Sequence, residues 1–152
     1  MPGKQKSQRY RVSKVIEAPL PFVYYWCTDY REDDGMLTGS RRKIKILEKT
    51  KSRAIYTSSR VENGKLIGRV SIVSMMPPNA WHLETAGDPL EQYTGDYKLT
   101  KLSSNKTRLD MVFDTKYGPR AKVPTKEWWE EDSSKDWDKL IFALMKDYSK
   151  GK

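Results

Sequence analysis

A proline-marked segment from Ala18 to Asp29 constrains the fold more than any other part of the chain. Before it, apolar and polar residues alternate from Tyr10 to Glu17, which is typical of a half-buried strand. Pro19 ends this strand, and Pro21 suits the first turn of a helix. Aromatic and aliphatic residues then recur at helical spacing. The segment therefore predicts a strand that turns at once into a short aromatic helix.

The rest of the sequence alternates as strands do, until one amphipathic helix closes it. Asn63-Gly64 is a strong hairpin signal, because both residues tolerate the positive φ of a type I′ turn. Thr125 is a candidate N-cap for the last helix, and residues 29–39 form a second short helix or a loop. The six strands predicted after the short helix are 44–46, 53–61, 65–76, 80–86, 91–102 and 107–117.

Seven strands linked mostly by tight turns predict an antiparallel sheet with one face on the closing helix. The fold class is therefore α+β, with a curved seven-stranded sheet around a long C-terminal helix. This arrangement leaves room for a cavity between sheet and helix. The chain of 152 residues is expected to form one domain over residues 9–150, preceded by a flexible basic tail at residues 1–8.

The net charge of +9 is concentrated in what we call the basic strand pair: Arg41, Arg42, Lys43, Lys45, Lys49, Lys51 and Arg53. Such a patch attracts anions, yet a solvated outer sheet face explains it as well, and no nucleic-acid-binding signature accompanies it. We therefore expect no specific nucleic-acid partner and at most a weak anionic one here. No apolar run reaches the ~20 residues of a membrane span. The polar N-terminus and the single Cys27 fit a cytoplasmic protein.

Four stretches of the sequence together resemble the START-like, or SRPBCC, superfamily. Ala18 to Asp29 is similar to its strand-to-helix signature: Ala-Pro, then Val and an aromatic residue, then Asp. Gly95 to Leu99 and Thr107 to Leu109 resemble its glycine, aromatic-leucine and threonine-leucine strands. Trp137 to Tyr148 resembles its closing helix. The resemblance covers roughly residues 9–149.

This resemblance implies a helix-grip fold with an apolar cavity, as in polyketide cyclases, lipid-transfer domains, quinone-binding proteins, plant hormone and allergen proteins, and co-chaperone domains. The chain departs from the pattern at Trp26-Cys27, where aliphatic residues are usual, and in its Trp128-Trp129 pair. These departures leave the subfamily open, and fold alone does not fix function.

Candidate catalytic groups are few. His82, the single histidine, alternates with Trp81 and Leu83, so it should face outward with Glu84. Cys27 lies in an aromatic helix and fits a buried small hydrophobe better than a nucleophile. A histidine-based metal cluster is excluded by count. We therefore expect neither a metal nor a cofactor.

Aromatic and aliphatic residues on the predicted inner faces are the strongest functional signal, although a filled core would produce the same pattern. Tyrosine hydroxyls would supply the polar contacts of such a cavity. The residues expected to bind a ligand are Tyr56, Ile72, Trp81, Leu83, Tyr93, Tyr97, Met111, Phe113, Trp129, Trp137 and Ile141.

Three functions fit these observations. The first is non-covalent binding, for carriage or sensing, of a hydrophobic, aromatic or lipid-like small molecule. The second is a cyclase, dehydratase or hydrolase that uses Tyr93, Tyr97 or Asp96. The third is a co-chaperone-like or anion-binding module. Because His82 is predicted to face away from the cavity, ligand binding is favoured over catalysis.

Overall fold

The computed structural model describes residues 6–29, 43–62, 64–88 and 91–151, and within these ranges the chain forms seven strands and two helices. In chain order they are β1 (Lys6–Ile16), α1 (Leu20–Thr28), β2 (Lys43–Lys49), β3 (Arg53–Glu62), β4 (Lys65–Met76), β5 (Ala80–Ala86), β6 (Glu91–Ser103), β7 (Lys106–Tyr117) and α2 (Lys126–Ser149).

The strands form one sheet in the order β1-β7-β6-β5-β4-β3-β2, and every neighbouring pair is antiparallel. The predicted α+β class is confirmed, with the seven strands curved around a long C-terminal helix. Of the two short helices predicted after the first strand, α1 is present. The second would fall within residues 30–42, which lie outside the described residues.

The first strand begins earlier than the sequence indicated. Lys6 pairs with Tyr117 and Gln8 pairs with Thr115, so residues 6–8 belong to the β1–β7 ladder rather than to the tail expected at residues 1–8. Polar side chains hid this extension, because Lys6, Ser7 and Gln8 show no alternation of apolar and polar residues. Residues 1–5 lie outside the described part of the chain.

Helix α1 forms where the prolines predicted it. Pro19 is its extended N-cap residue, and the Val23 N–H donates to the Pro19 carbonyl at 3.1 Å. Pro21 lies in the first turn, where a missing N–H costs little. The indole N–H of Trp26 donates to the Asp147 carboxylate at 2.8 Å, which ties α1 to the end of α2.

Helix α2 begins as predicted and packs mainly against β1. The Thr125 hydroxyl accepts from the Trp128 N–H at 3.1 Å, and this N-cap satisfies one of the free N–H groups of the first turn. Trp129 stacks on Tyr10 of β1 with ring centroids 4.0 Å apart. Leu144 is the buried residue of α2, while Trp137 is only half-buried. Because the helix rests on the β1 side, the inner face of β2 to β6 is left partly uncovered.

Candidate functional site

A cavity of about 1140 Å³ lies between the inner face of the sheet and the N-terminal half of α2. Its lining includes residues of β2 to β7, the end of α1 and the loop that precedes α2. All five tryptophans of the chain contribute to it. The tryptophans that line the cavity are Trp26, Trp81, Trp128, Trp129 and Trp137.

Contacts among the aromatic rings hold the cavity wall in place. Trp81 and Tyr97 stack with centroids 4.9 Å apart, and Phe113 meets the Tyr97 ring edge-on at 5.6 Å. Trp137 of α2 tilts over Tyr97 at 6.2 Å. A Cβ on Gly95 would lie 3.1 Å from the Phe113 and Tyr97 rings, so a glycine is what lets the two rings approach the strand this closely.

Eight of the residues expected to bind a ligand line this cavity. They are Tyr56, Trp81, Leu83, Tyr93, Tyr97, Phe113, Trp129 and Trp137. Contact between these residues and a ligand stays a prediction.

Three of the expected residues are placed elsewhere. Ile72 lies on the outer face of β4, because the inward residues of this strand are Arg69, Ser71 and Val73. Met111 is fully buried in the sheet between its neighbours on β1 and β6, so other side chains cover it. Ile141 lies one turn beyond Trp137, where α2 packs against the core.

One end of the cavity is polar, and we call it the polar end: Arg69, Glu91, Tyr93, Thr115 and Tyr117. One terminal nitrogen of Arg69 lies 3.0 Å from the buried carboxylate of Asp88, and the same nitrogen lies 2.9 Å from that of Glu91. Its guanidinium also lies 5.2 Å from the centre of the Tyr93 ring. Burial alone would lower the pKa of Arg69, but Tyr93, Asp88 and Glu91 outweigh it and raise the pKa above its usual value. Arg69 therefore stays charged.

Two buried polar atoms of the polar end have no hydrogen-bond partner among the described residues. They are Nε of Arg69 and Oγ1 of Thr115. Both residues are at least nine-tenths buried. Buried polar groups are nearly always hydrogen-bonded, so these two atoms are exceptions, and both are closed off from the open space of the cavity.

Tyr117 and Tyr10 share a hydrogen bond between their hydroxyls, 2.7 Å long and buried. Burial raises the pKa of Tyr117, and the Tyr10 hydroxyl and nearby Glu91 raise it further. Burial likewise raises the pKa of Tyr10. Both phenols are therefore neutral near pH 7, and the Tyr117 side chain is part of the cavity lining.

Among the candidate catalytic groups, Tyr93 and Tyr97 line the cavity, whereas His82 and Asp96 do not. His82 faces the outer side of the sheet, as predicted, with Nδ1 2.6 Å from Asp96 and Nε2 3.3 Å from Glu84. Asp96, proposed for an enzyme, lies on that same outer face. Cys27 does line the cavity, but burial raises the pKa of its thiol to about 12. A thiol with this pKa is a poor nucleophile near neutral pH.

The described part of the basic strand pair is partly neutralised by acidic neighbours. Lys49 pairs with Asp29 at 2.6 Å, and Arg53 pairs with Glu48 at 2.6 Å. Arg41 and Arg42 lie outside the described residues. No described helix is long and apolar enough to cross a membrane.

The sequence pattern did not predict the polar end or much of the cavity lining. Arg69 and Glu91 were not singled out, and neither were Ile44 and Ile46 as lining residues. The inward position of Arg69 could have been predicted, because Arg69 alternates in step with Ser71 and Val73 along the strand. An arginine on the inner face of a sheet needs a buried partner of opposite charge. Asp132 and Asp136 also line the cavity, and they lie one turn apart on α2 between Trp129 and Trp137.

Solved structures with this architecture are numerous, although sequence identities are low. The Zhui aromatase/cyclase from Streptomyces sp. R1128 matches with a TM-score of 0.72 and 14% identity, over 92% of this chain and 94% of that one. A Thermus thermophilus protein matches with a TM-score of 0.70 and 13% identity, over 92% of this chain and 99% of that one. A START superfamily protein from Mycobacterium smegmatis matches with a TM-score of 0.66 and 13% identity, over 93% of this chain and 97% of that one.

These similarities establish the fold. The chain has the START-like helix-grip fold, as the sequence resemblance implied. No protein-family model and no curated protein matches the sequence.

Proposed function

We propose that this protein binds a hydrophobic or aromatic small molecule, without covalent chemistry, in the cavity between the sheet and α2. The observation that carries the proposal is the convergence of all five tryptophans on one cavity of about 1140 Å³. Cavities of a few hundred to a thousand Å³ with aromatic walls and a few polar groups are typical ligand sites. The START superfamily protein and the aromatase/cyclase among the structural neighbours show that this fold also occurs in proteins of those classes.

Binding is favoured over catalysis by the position of the titratable groups. The only imidazole of the chain faces away from the cavity, and the Cys27 thiol has a raised pKa. Removal of apolar ligand surface from water, worth about 25 cal/mol per Å², would then supply the affinity. Such binding depends little on salt, whereas polyanion binding at the basic strand pair would weaken steeply as salt rises.

We expect Ser71→Phe to lower the affinity for a neutral apolar probe, N-phenyl-1-naphthylamine, by tenfold or more. Ser71 lines the cavity, so a phenyl ring there occupies the space that the probe needs. Ile72→Phe is the matched control, because Ile72 is the next residue of β4 and faces outward. It should change the affinity less than twofold. Tryptophan fluorescence reports the binding directly, since the indoles surround the site.

Two outcomes would count against this site. One is an equal loss of affinity in both variants, and the other is saturable binding that Ser71→Phe leaves intact. Circular dichroism on each variant shows whether the fold is retained.

A further inference from the structure

The hairpin of β3 and β4 projects beyond the rest of the described sheet. β2 pairs with β3 as far as Ser59, and β5 pairs with β4 only from Val70 onward. Past these points, residues 60–62 pair with residues 65–67, and no other described strand joins them. We call residues 60–67 the ribbon. Three pairs at about 3.3 Å per residue carry its tip about 10 Å past the neighbouring strands.

Two aliphatic side chains lie exposed on the ribbon. Val61 and Leu66 are cross-strand partners, and they are 72% and 74% exposed. No other large hydrophobic residue in the described part of the chain is as accessible. Each lies three residues from an inward side chain of its own strand, Ser58 or Arg69, so both point to the outer side of the sheet. Helix α2 lies on the inner side and does not cover them.

The outer face of the sheet has positive charge to spare. Its described acidic residues all contact basic ones: Glu48 with Arg53, Glu84 and Asp96 with His82, Asp110 with Arg108, and Asp114 with Arg9. Arg11, Lys45 and Lys116 on the same face have no ion-pair partner among the described residues. The acidic residues of α2 lie with that helix on the inner side. An outer surface of this kind attracts anions, as the net charge of +9 also does.

The ribbon itself adds to this charge. Of its three charged residues, Arg60 and Lys65 are basic and Glu62 is acidic. Its exposed apolar pair is therefore carried on a basic segment, at the end of a projecting hairpin. Apolar contact and attraction to anionic lipids are the two signals that together hold a protein on a membrane surface.

The shape of the ribbon favours a bilayer over a protein partner. A stable protein interface buries about 800 Å² on each side, and two side chains at a hairpin tip supply little of that area. A second copy of the chain would also bring a second charge of +9 to the contact. A bilayer needs no complementary pocket, because its acyl chains adapt to a projecting side chain.

We propose that the ribbon docks this protein on a bilayer that contains anionic lipids. Val61 and Leu66 enter the interfacial region of the bilayer, and the basic residues of the outer face lie near the lipid headgroups. This inference goes beyond the proposed function, and it concerns a surface on the opposite side of the sheet from the cavity.

Co-sedimentation with vesicles tests the docking. We expect the wild-type protein to bind vesicles of phosphatidylcholine and phosphatidylserine at least tenfold more tightly than vesicles of phosphatidylcholine alone. Raising the salt concentration should weaken the binding, because salt screens the attraction between the basic face and the lipids.

A double variant tests the ribbon. Val61→Ser, Leu66→Ser should lower the partition onto the anionic vesicles by tenfold or more, since both side chains lose their transfer from water into hydrocarbon. Val15→Ser, Leu102→Ser is the matched control, because it removes the same two residue types at the opposite end of the sheet, where they are 52% and 44% exposed. It should change the partition less than twofold.

A fluorescent label gives a second measurement that does not depend on those variants. An environment-sensitive dye on Leu66→Cys should shift to the blue when anionic vesicles are added, whereas the same dye on Leu102→Cys should not. Protein labelled without an introduced cysteine shows the background from the buried Cys27.

Several results would overturn this inference. They are absence of binding to anionic vesicles, equal losses in the ribbon variant and its control, and a dimer that the ribbon variant dissociates. Binding of N-phenyl-1-naphthylamine should be the same in the ribbon variant and the wild type. The cavity and the ribbon are therefore tested separately, and failure of one leaves the other standing.

Discussion

Replacing Arg69 with methionine should lower the free energy of unfolding by about 3–5 kcal/mol, the usual loss when a buried ion pair loses one partner. The side chain of Arg69 is about 4% exposed and that of Asp88 is fully buried. Without the guanidinium, the Asp88 carboxylate stays buried and loses the positive charge that Arg69 supplies. Urea denaturation monitored by tryptophan fluorescence measures the loss.

Arg9→Met provides the control for that loss. Arg9 pairs with Asp114 at 2.7 Å, but both side chains are about half exposed. Exposed ion pairs contribute about 0–1 kcal/mol, so this variant should barely shift the urea midpoint. The double variant Arg69→Met, Asp88→Asn should regain part of the lost stability, because the buried charge is gone. Similar losses in Arg69→Met and Arg9→Met would show that the Arg69 cluster is not buried.

Trp81→Ala should cost about 3–5 kcal/mol, the range for removing a large aromatic side chain from a core. Trp81 is about 1% exposed, stacks on Tyr97 and meets Tyr24 edge-on at 5.9 Å. Its removal would take away the indole that stacks on Tyr97 in the cavity wall. The change in urea midpoint between wild type and variant is the measurement.

Trp128→Ala is the matched control for Trp81, since Trp128 also lines the cavity but is 58% exposed. It should change the free energy of unfolding by less than about 1 kcal/mol, as most exposed substitutions do. If Trp81→Ala were as mild as Trp128→Ala, the packing of Trp81 into the inner sheet face would be wrong.

Strict alternation made most of the sheet predictable. In β7, Leu109, Met111, Phe113 and Thr115 are all buried, as their spacing predicted. In β5, Trp81 and Leu83 face inward and His82 outward, again as predicted. These strands have an apolar inner face and a polar outer face, so the period of two is directly visible in the sequence.

Alternation gave the wrong face for β4 because this strand inverts the usual pattern. Its inner face carries Arg69 and Ser71, while the apolar Val70 and Ile72 lie on the other side. The hydrophobic pattern therefore favoured Ile72 as an inward residue. The inversion follows from the polar end, where Asp88 and Glu91 compensate the charge of Arg69. Asp88 follows β5 and Glu91 begins β6, and a single strand does not reveal such distant partners.

The sequence also could not show which inward-facing residues line the cavity and which belong to a filled core. Met111 and Phe113 have the same phase in β7, yet Phe113 lines the cavity and Met111 is covered. The difference depends on where α2 crosses the sheet. Trp129 fixes that position by stacking on Tyr10, which is a contact between residues more than a hundred positions apart.

If the cavity is the ligand site, intermolecular nuclear Overhauser effects should place bound N-phenyl-1-naphthylamine inside it. We expect contacts from this probe to Leu83, Phe113 and Trp137, on the sheet and helix walls of the cavity. The competing apolar surface is the exposed cross-strand pair Val61 and Leu66, which are 72% and 74% exposed. Contacts confined to Val61 and Leu66, with none to the cavity residues, would show that the cavity is not the ligand site.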